Sequence, residues 1–321
     1  MSDPPGRFAG AVPAALAGVR VDRVVSILTG VSRAEAAGLL EAGLVLLDGR
    51  PLTRRSTPVA TGSTLVVEPP PKPAALEPDR DVPFDVVYED ADLVVVDKPA
   101  GVIVHPGAGR RGGTLIAGLV ARYPDIGALA AVSDPARPGV VHRLDKGTSG
   151  LLVVARSAVS YSSLVHQMGA RTVGRRYLAL VAGVVRDERG MVDAPVGRST
   201  RTPTKMAVTP AGRPARTRYA VVERVSRLFD GHGWTERPAT LLVCTLETGR
   251  THQIRVHLAA IGHPVVGDDR YGMAAARGIL EPPRLFLHAA ELSLDHPVSG
   301  SRMTWTSPLP SDLRSALTAA P

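Results

Sequence analysis

Residues 141–152 read VHRLDKGTSGLL, and this stretch is the starting point for interpreting the chain. A single carboxylate, Asp145, lies between two strong cations, Arg143 and Lys146, at the end of an apolar run. A turn rich in glycine and hydroxyl groups follows. Such a turn exposes Asp145 at the edge of a sheet, and the neighbouring cations favour its ionised form. Because an ordinary surface hairpin with an ion pair has the same local pattern, the flanking segments have to be weighed with it.

Short β-branched or apolar runs, separated by glycine and proline, lie on both sides of this stretch. They predict strands over residues 86–88, 93–96, 102–104, 140–144, 151–155, 177–181, 241–246 and 284–289. Helices are predicted over residues 114–123, 158–168 and 251–261. The strands and helices do not alternate as they would in a doubly wound parallel sheet. The sequence therefore predicts an α/β (α+β) fold with a mixed, largely antiparallel sheet.

The first part of the chain predicts a separate small α+β domain. Ser32 and Glu35 form a capping-box pattern at the start of the second of two short helices, and short strands follow at 44–47 and 65–68. The stretch PPPKP that comes next is typical of a stiff, extended linker. The predicted organisation is a flexible tail over 1–15, a small domain over 16–68, a linker over 69–80 and a main domain over 81–321.

Composition restricts the classes of partner and chemistry. The net charge is +8 and the pI about 10.1, which favours a polyanionic partner. The one cysteine, Cys244, excludes an internal disulfide and a cysteine-based zinc site. No apolar run approaches the roughly 20 residues that span a bilayer, and the mildly apolar residues 9–19 make a poor signal peptide. We therefore expect a cytoplasmic protein that does not enter a membrane.

One long segment, residues 197–219, is basic and contains no acidic residue. It is rich in threonine, proline and glycine, which predicts a mobile loop able to contact phosphates. Its cations are Arg198, Arg201, Lys205, Arg213, Arg216 and Arg218.

Three further stretches carry candidate functional residues: VVVDKPAG at 94–101, RRYLAL at 175–180 and TGRTHQIRVH at 248–257. Taken singly, they describe a bend between strands, a tyrosine at the start of a core strand, and a turn leading into a helix. His252 and His257 are five residues apart, which does not match the spacing of a zinc helix. The chain also has no G-x-x-x-x-G-K-[ST] phosphate loop and no serine nucleophile elbow. We expect no metal and no cofactor.

Together these motifs resemble a known family. The stretch HRLDKGTSGLLVVA at 142–155 resembles the signature of RluA-type pseudouridine synthases. VVVDKPAGVIVHP, RRYLAL and TGRTHQIRVHLAAIGHPVVGD are similar to that family's other motifs, in its usual order, although arginine stands where lysine is expected before the tyrosine. Residues 16–68 resemble the small RNA-binding domain named after ribosomal protein S-four. The combination implies a synthase that acts on large-subunit ribosomal RNA.

The resemblance implies a redox-neutral reaction that needs no cofactor. The N-glycosidic bond of a uridine breaks, the uracil turns, and the base rejoins the ribose through carbon 5. Asp145 is implied as the nucleophile, with attack on the base, attack on the anomeric carbon and formation of a glycal all left open. Arg255 is implied as its ion-pair partner, and Tyr177 as a ring that stacks on the uracil and serves as a general base.

Residues that bind RNA are also implied by the resemblance. Arg143 is expected to fill the gap left by a base that swings out of its helix. The full set of expected substrate-binding residues is His142, Arg143, Arg175, Arg176, Arg250 and His252.

Other functions fit parts of the pattern. A non-catalytic RNA-binding or ribosome-assembly protein of the same fold, and a synthase acting on transfer RNA, are the main alternatives. A carboxylate-dependent glycosidase is weaker, because it requires two paired acids and only Asp145 is clearly placed. In the absence of coiled-coil heptads we expect a monomer.

Overall fold

The structure is a computed structural model that describes residues 7–68, 76–105, 113–229, 234–272 and 284–317. The chain divides into two compact units, Met1–Ala74 and Ala75–Pro321. The division falls within the stretch for which the sequence predicts a linker. In the described part of the chain, no helix is both long and apolar enough to cross a bilayer.

The first unit packs two helices against a four-stranded antiparallel sheet with the strand order β1-β4-β2-β3. Its elements are β1 (Phe8–Ala11), a 3-10 turn (Ala14–Leu16), α1 (Val21–Thr29), α2 (Arg33–Glu41), β2 (Val45–Leu47), β3 (Arg50–Pro51) and β4 (Thr64–Val67). The predicted capping box is confirmed, because the Ser32 hydroxyl accepts from the Glu35 N–H and the Glu35 carboxylate accepts from the Ser32 N–H. This exchange satisfies two amide groups at the start of α2.

The prediction of a flexible tail over residues 1–15 is wrong for its second half. Phe8–Ala11 form β1, which pairs with Thr64–Val67 along its whole length. Phe8 and Val12 also pack against the core of this unit. The sequence FAGA gave little sign of a strand, because alanine and glycine have low β propensity and the strand depends on its partner.

The second unit contains a nine-stranded sheet. Its strands are β5 (Asp85–Glu89), β6 (Leu93–Lys98), β7 (Ser149–Ala155), β8 (Gly174–Ala182), β9 (Arg189–Asp193), β12 (Arg216–Val225), β15 (Ala239–Leu246), β16 (Leu287–Asp295) and β17 (Arg302–Thr306). Two short hairpins lie outside the sheet, β10 (Val196–Arg198) with β11 (Met206–Val208), and β13 (Leu228–Phe229) with β14 (Trp234–Thr235). The helices are α3 (Leu115–Arg122), α4 (Pro124–Ala128), a 3-10 turn (Leu129–Ala131), α5 (Ala158–Ala170), α6 (Gln253–Ala260) and α7 (Ser311–Arg314).

The strand order in this sheet is β5-β6-β7-β16-β8-β15-β12-β9, with β17 beside β16. The pairing of β7 with β16 is parallel, and the other strand pairings described in this sheet are antiparallel. The predicted mixed, largely antiparallel sheet is therefore confirmed. Helices α3 and α6 cover one face and α5 covers the other, so every residue of β7 is buried.

Two predicted strands are wrong. Residues 102–104 and 140–144 contribute only single bridges, Ile103 to Thr114 and Val140 to Val154. In the described part of the chain, residues 141–145 therefore reach the turn without a ladder partner. The apolar runs at these positions reflect burial of Val104 and Leu144 in the core rather than pairing in the sheet.

The prediction of a mobile loop over residues 197–218 is also wrong. β10 pairs with β11, and β12 begins at Arg216. Val196 is buried with Ala215 and with Val256 of α6, so the segment has a small core of its own. These few apolar contacts are easily missed in a stretch dominated by threonine, proline and arginine.

Gly150 at the start of β7 allows the close approach of β16. Its φ is +110°, and a Cβ atom there would lie 2.3 Å from the Ala289 carbonyl oxygen. Only glycine combines this backbone conformation with so little space. The turn that carries Asp145 is thereby fixed beside the middle of the sheet.

Candidate active site

Asp145 lies in the turn immediately before β7. The turn is closed by a hydrogen bond from the Thr148 N–H to the Asp145 carbonyl oxygen, at 3.1 Å. The carboxylate accepts a hydrogen bond on Oδ2 from Nη1 of Arg255, also at 3.1 Å. The carboxylate side chain is 15% exposed, so it remains accessible while one oxygen is held by a cation.

Arg255 lies on α6 and is held from its other side by Asp268. Its Nε and Nη2 donate to the two oxygens of Asp268 at 2.7 and 2.8 Å. Burial opposes the charge of the guanidinium, but the hydrogen bonds and charges of Asp268 and Asp145 outweigh it and raise the pKa of Arg255. This bidentate pair holds the guanidinium group of Arg255 in one orientation, so that its Nη1 is directed at Asp145.

Asp268 is a site residue that the sequence analysis did not single out. Its pKa is lowered, because hydrogen bonds from Arg255 and from the backbone N–H groups of Arg270 and Tyr271 outweigh the effect of burial. Asp268 is the last residue of the family-like stretch at 248–268, and that was the only indication of its role in the sequence.

Asp145, His252 and Arg255 line a cavity of about 740 Å³ and a smaller pocket that adjoins it. Tyr177 forms part of the wall of the smaller pocket. We refer to the two together as the cleft. Its volume lies within the range of roughly 300–1,000 Å³ that is usual for ligand sites.

Tyr177 stands on β8 on the face that α6 covers, and the residue is 5% exposed. Burial raises the pKa of its phenol, the positive charge of Arg175 opposes this, and the negative charge of Asp145 adds to it. The phenol is therefore neutral at neutral pH. The structure brings together the three residues that the sequence predicts as catalytic.

The expected substrate-binding residues divide into two groups. Arg143, Arg250 and His252 line the cleft. Arg143 is exposed, and its Nη1 lies 3.1 Å from Nε2 of His105. Arg250 donates from Nε to the Pro214 carbonyl oxygen at 3.2 Å.

The structure does not place His142 at the cleft. Its ring is buried, and Nε2 accepts a hydrogen bond from the Val153 N–H at 3.1 Å. Burial, together with the charge of Arg175, lowers its pKa to about 3, so the ring is neutral. His142 is buried whereas Arg143, the next residue, is exposed, so the two side chains lie in different surroundings.

Arg175 and Arg176 are separated by the alternation of side chains along a strand. Arg175 points to the same face as Tyr177 and is buried. Its guanidinium packs closely against Gly249, where an added Cβ atom would lie only 2.8 Å from Nη1 of Arg175. Arg176 points to the opposite face, where it donates to Glu291 at 3.0 Å. Neither arginine lines the cleft, and their expected contact with the substrate stays a prediction.

Lys98 is a further buried group that the sequence analysis treated only as part of a bend. Its Nζ donates to the carbonyl oxygens of Pro99 and Val102, each at 2.9 Å. Burial lowers its pKa to about 8, although the charge of Asp145 opposes the shift. At neutral pH this ammonium group adds to the positive potential around Asp145.

Comparisons with known proteins show the family to which the chain belongs. The family described as RNA pseudouridylate synthase matches residues 92–260, and the S4 domain matches residues 19–65. A protein of Nitrosomonas europaea named ribosomal large subunit pseudouridine synthase D is 41% identical, over 96% of this chain and 86% of the relative. A Pseudomonas aeruginosa protein of the same name is 42% identical, over 95% and 92%.

A solved structure, human RNA pseudouridylate synthase domain containing 1, is also similar. It is 30% identical, has a TM-score of 0.56, and matches 72% of this chain and 86% of its own. Fold, cleft and relatives together define an isomerase that forms pseudouridine in RNA. The chain belongs to the RNA pseudouridylate synthase family and carries an S4 domain in its first unit.

Proposed function

We propose that this protein converts uridine to pseudouridine in large-subunit ribosomal RNA and that Asp145 is its nucleophile. The observation that carries the role of Asp145 is the 3.1 Å hydrogen bond from Arg255, which holds one carboxylate oxygen at the wall of the cleft. The names of the Nitrosomonas and Pseudomonas relatives support ribosomal RNA as the substrate.

Arg255 serves two purposes in this proposal. It forms an ion pair with the Asp145 carboxylate, at 3.1 Å from Nη1 to Oδ2. It also restricts the rotation of the carboxylate, since its own position is set by the bidentate pair with Asp268. A nucleophile held in one orientation loses less entropy when it attacks.

Tyr177 is proposed to stack on the uracil and later to accept the proton from carbon 5. In the free protein its raised pKa keeps the phenol protonated. Once Asp145 forms a covalent bond its negative charge is lost, and with it one of the causes that raise this pKa. The charge of Arg175 remains, so the phenol then loses its own proton to solvent more readily, and the phenolate that results is the form that accepts the proton from carbon 5.

Arg143 is proposed to take the place of the extruded base. It is exposed at the edge of the cleft, two residues from Asp145, and its side chain is long enough to enter an RNA helix. Extrusion is required because a stacked base hides the atoms that react. Arg250 and His252, also at the cleft, are proposed to contact the nucleotide.

The remaining parts of the proposal follow from the reaction. It is redox-neutral and leaves the composition of the RNA unchanged, so it requires no nucleotide cofactor and no metal. We infer that the protein meets its substrate in the cytoplasm and, because the sequence shows no coiled-coil heptads, that it works as a monomer.

The decisive experiment compares the wild-type protein with Asp145→Asn on unmodified 23S rRNA. We expect turnover to fall by about 10³-fold or more, because an amide is a poor nucleophile, while RNA affinity stays within a few-fold. Asp125→Asn is the control, since Asp125 is ion-paired with Arg156 and does not line the cleft.

Pseudouridine mapping of ribosomal and transfer RNA, from cells with and without this gene, tests the substrate. Loss of a modification in 23S rRNA supports the proposal, and loss confined to transfer RNA contradicts the assignment to ribosomal RNA.

Full turnover by Asp145→Asn would refute the assignment of Asp145 as the nucleophile. Release of free uracil by the wild-type protein would indicate a glycosidase instead.

A further inference from the structure

We infer that Tyr271 is a positioning residue that holds His252 as the neutral tautomer with its proton on Nε2. This N–H then faces Asp145 as a second donor, on the carboxylate oxygen that Arg255 does not bind. The inference rests on the proposed function, because it assigns Tyr271 and His252 to the support of the proposed nucleophile.

The hydrogen bonds of Tyr271 determine the tautomer. Its Oη accepts from the Met206 N–H at 3.1 Å and lies 2.7 Å from Nδ1 of His252. A phenol oxygen that accepts from a backbone amide still has its own proton to donate. Among the described residues, the phenol's own O–H has a hydrogen-bond acceptor only if it donates to Nδ1. Nδ1 is then an acceptor without a proton, and the proton of the neutral ring lies on Nε2.

The other ring nitrogen of His252 faces the nucleophile. Nε2 lies 3.8 Å from Oδ1 of Asp145, while Arg255 donates to Oδ2 at 3.1 Å. The longer distance exceeds that of a hydrogen bond in the free protein. Catalytic hydrogen bonds often shorten when the substrate closes the site. Two donors, one on each oxygen, would then leave the carboxylate a single orientation.

The surroundings of His252 favour its neutral form. Burial is the largest influence and lowers its pKa, the negative charges of Asp145 and Asp268 oppose this, and two arginines lower it further. The charged and titratable groups that face the ring from the adjoining elements are Asp145, Arg255, Asp268, Arg270 and Tyr271.

The pair itself is rigidly held. The Tyr271 N–H donates to Asp268 at 3.0 Å, and its ring lies 5.1 Å from the guanidinium carbon of Arg255. The rings of Tyr271 and His252 meet edge to face, at 5.5 Å between centroids. The backbone of His252 is in the left-handed region, with φ of 56°. Residues other than glycine keep this conformation only where the surrounding structure imposes it.

The test is ¹⁵N NMR of histidine-labelled full-length protein without RNA, with the His252 signals assigned by comparison with His252→Asn. We expect wild-type His252 to be neutral with Nε2 protonated. In Tyr271→Phe, which keeps the ring and removes the donor, we expect a mixture of tautomers and a higher pKa for His252. On 23S rRNA we expect kcat to fall about tenfold, with KM within about twofold, because orientation of the nucleophile is affected more than binding.

Tyr88→Phe is the matched control, since it also removes a phenol donor, here one that bonds to Asp90 at 2.7 Å. It should leave the His252 tautomer and kcat unchanged. A wild-type His252 protonated on Nδ1 would overturn the inference, and so would a Tyr271→Phe protein with an unaltered tautomer and kcat. The wild-type spectrum decides the tautomer even if the variant fails to fold. Because it is recorded without RNA, it does not depend on which RNA the protein modifies.

Discussion

The buried ring of His142, three residues before Asp145, makes the stability of the folded protein depend on pH. Its ring is neutral in the folded protein because burial lowers its pKa to about 3 from the ordinary 6.5. As the pH falls below 6.5 the unfolded chain binds a proton that the folded chain does not. Stability is therefore fully present above pH 6.5 and is lost as the pH falls towards 3.

We predict that His142→Gln has a flatter pH dependence of unfolding than the wild-type protein. Between pH 6 and pH 4 the slope of the free energy of unfolding against pH should fall by up to about 1.4 kcal/mol per unit. Denaturant titrations at several pH values measure it. His166→Gln removes an exposed histidine and serves as the control. Equal slopes for His142→Gln and wild type would show that His142 is not protected from protonation.

At the residue scale the sequence identified the reacting groups better than the groups that hold them. Asp145, Tyr177 and Arg255 are all in the cleft as predicted. Asp268 and Tyr271 were missed, because their roles depend on a loop that folds back beside α6. Spacing along the chain does not show this: Arg255 and Asp268 are 13 residues apart and bond side chain to side chain.

At the scale of elements, β8 assigns different surroundings to two adjacent arginines. Arg175 is buried next to Tyr177, and in the described part of the chain no carboxylate is paired with it. Arg176 is on the outer face and half exposed, and it pairs with Glu291. A buried cation without an ionic partner costs stability, so its presence is best explained by its effect on Tyr177.

We predict that Arg175→Met leaves the melting temperature unchanged or raises it while kcat falls several-fold, because the pKa of Tyr177 would rise further. Arg176→Met is the matched change on the other face. It removes one exposed ion pair, which contributes about 0–1 kcal/mol, and should leave kcat unchanged. Thermal unfolding measures the melting temperatures of the two variants, and steady-state kinetics measure their kcat. Equal effects of the two substitutions on kcat would contradict the different roles assigned to Arg175 and Arg176.

The elements that the sequence predicted correctly are those with strong periodicity or clear boundaries. β7, α5 and α6 lie within a few residues of the expected ranges, because each is an apolar run that ends at a glycine or a capping residue. Residues 140–144 are equally apolar, but from the sequence alone a buried segment without strand pairing cannot be distinguished from a strand. The β10–β11 hairpin depends on contacts with α6, which local composition does not reveal.

At the scale of the whole molecule, the cleft residues named above belong to the second unit, while the S4 domain lies in the first. Each unit has its own hydrophobic core. Binding and chemistry should therefore be separable by truncation.

We predict that a protein consisting of residues 75–321 folds and retains kcat within about threefold. Its KM for 23S rRNA should rise about tenfold or more, because the basic first unit no longer contributes phosphate contacts. Single-turnover kinetics at saturating and limiting enzyme separate the two constants. A truncated protein that binds as tightly as the full chain would show that the first unit is not required for affinity.

The position of β16 has a consequence for how this protein is made. The strand is synthesised after β7 and β8, yet it lies between them, and they carry the turn of Asp145 and the ring of Tyr177. A growing polypeptide cannot align those two strands until residues 287–295 leave the ribosome. The nascent chain should thus be catalytically silent until β16 has been made, and products that terminate before this strand should have no means of modifying the RNA of the ribosome that made them.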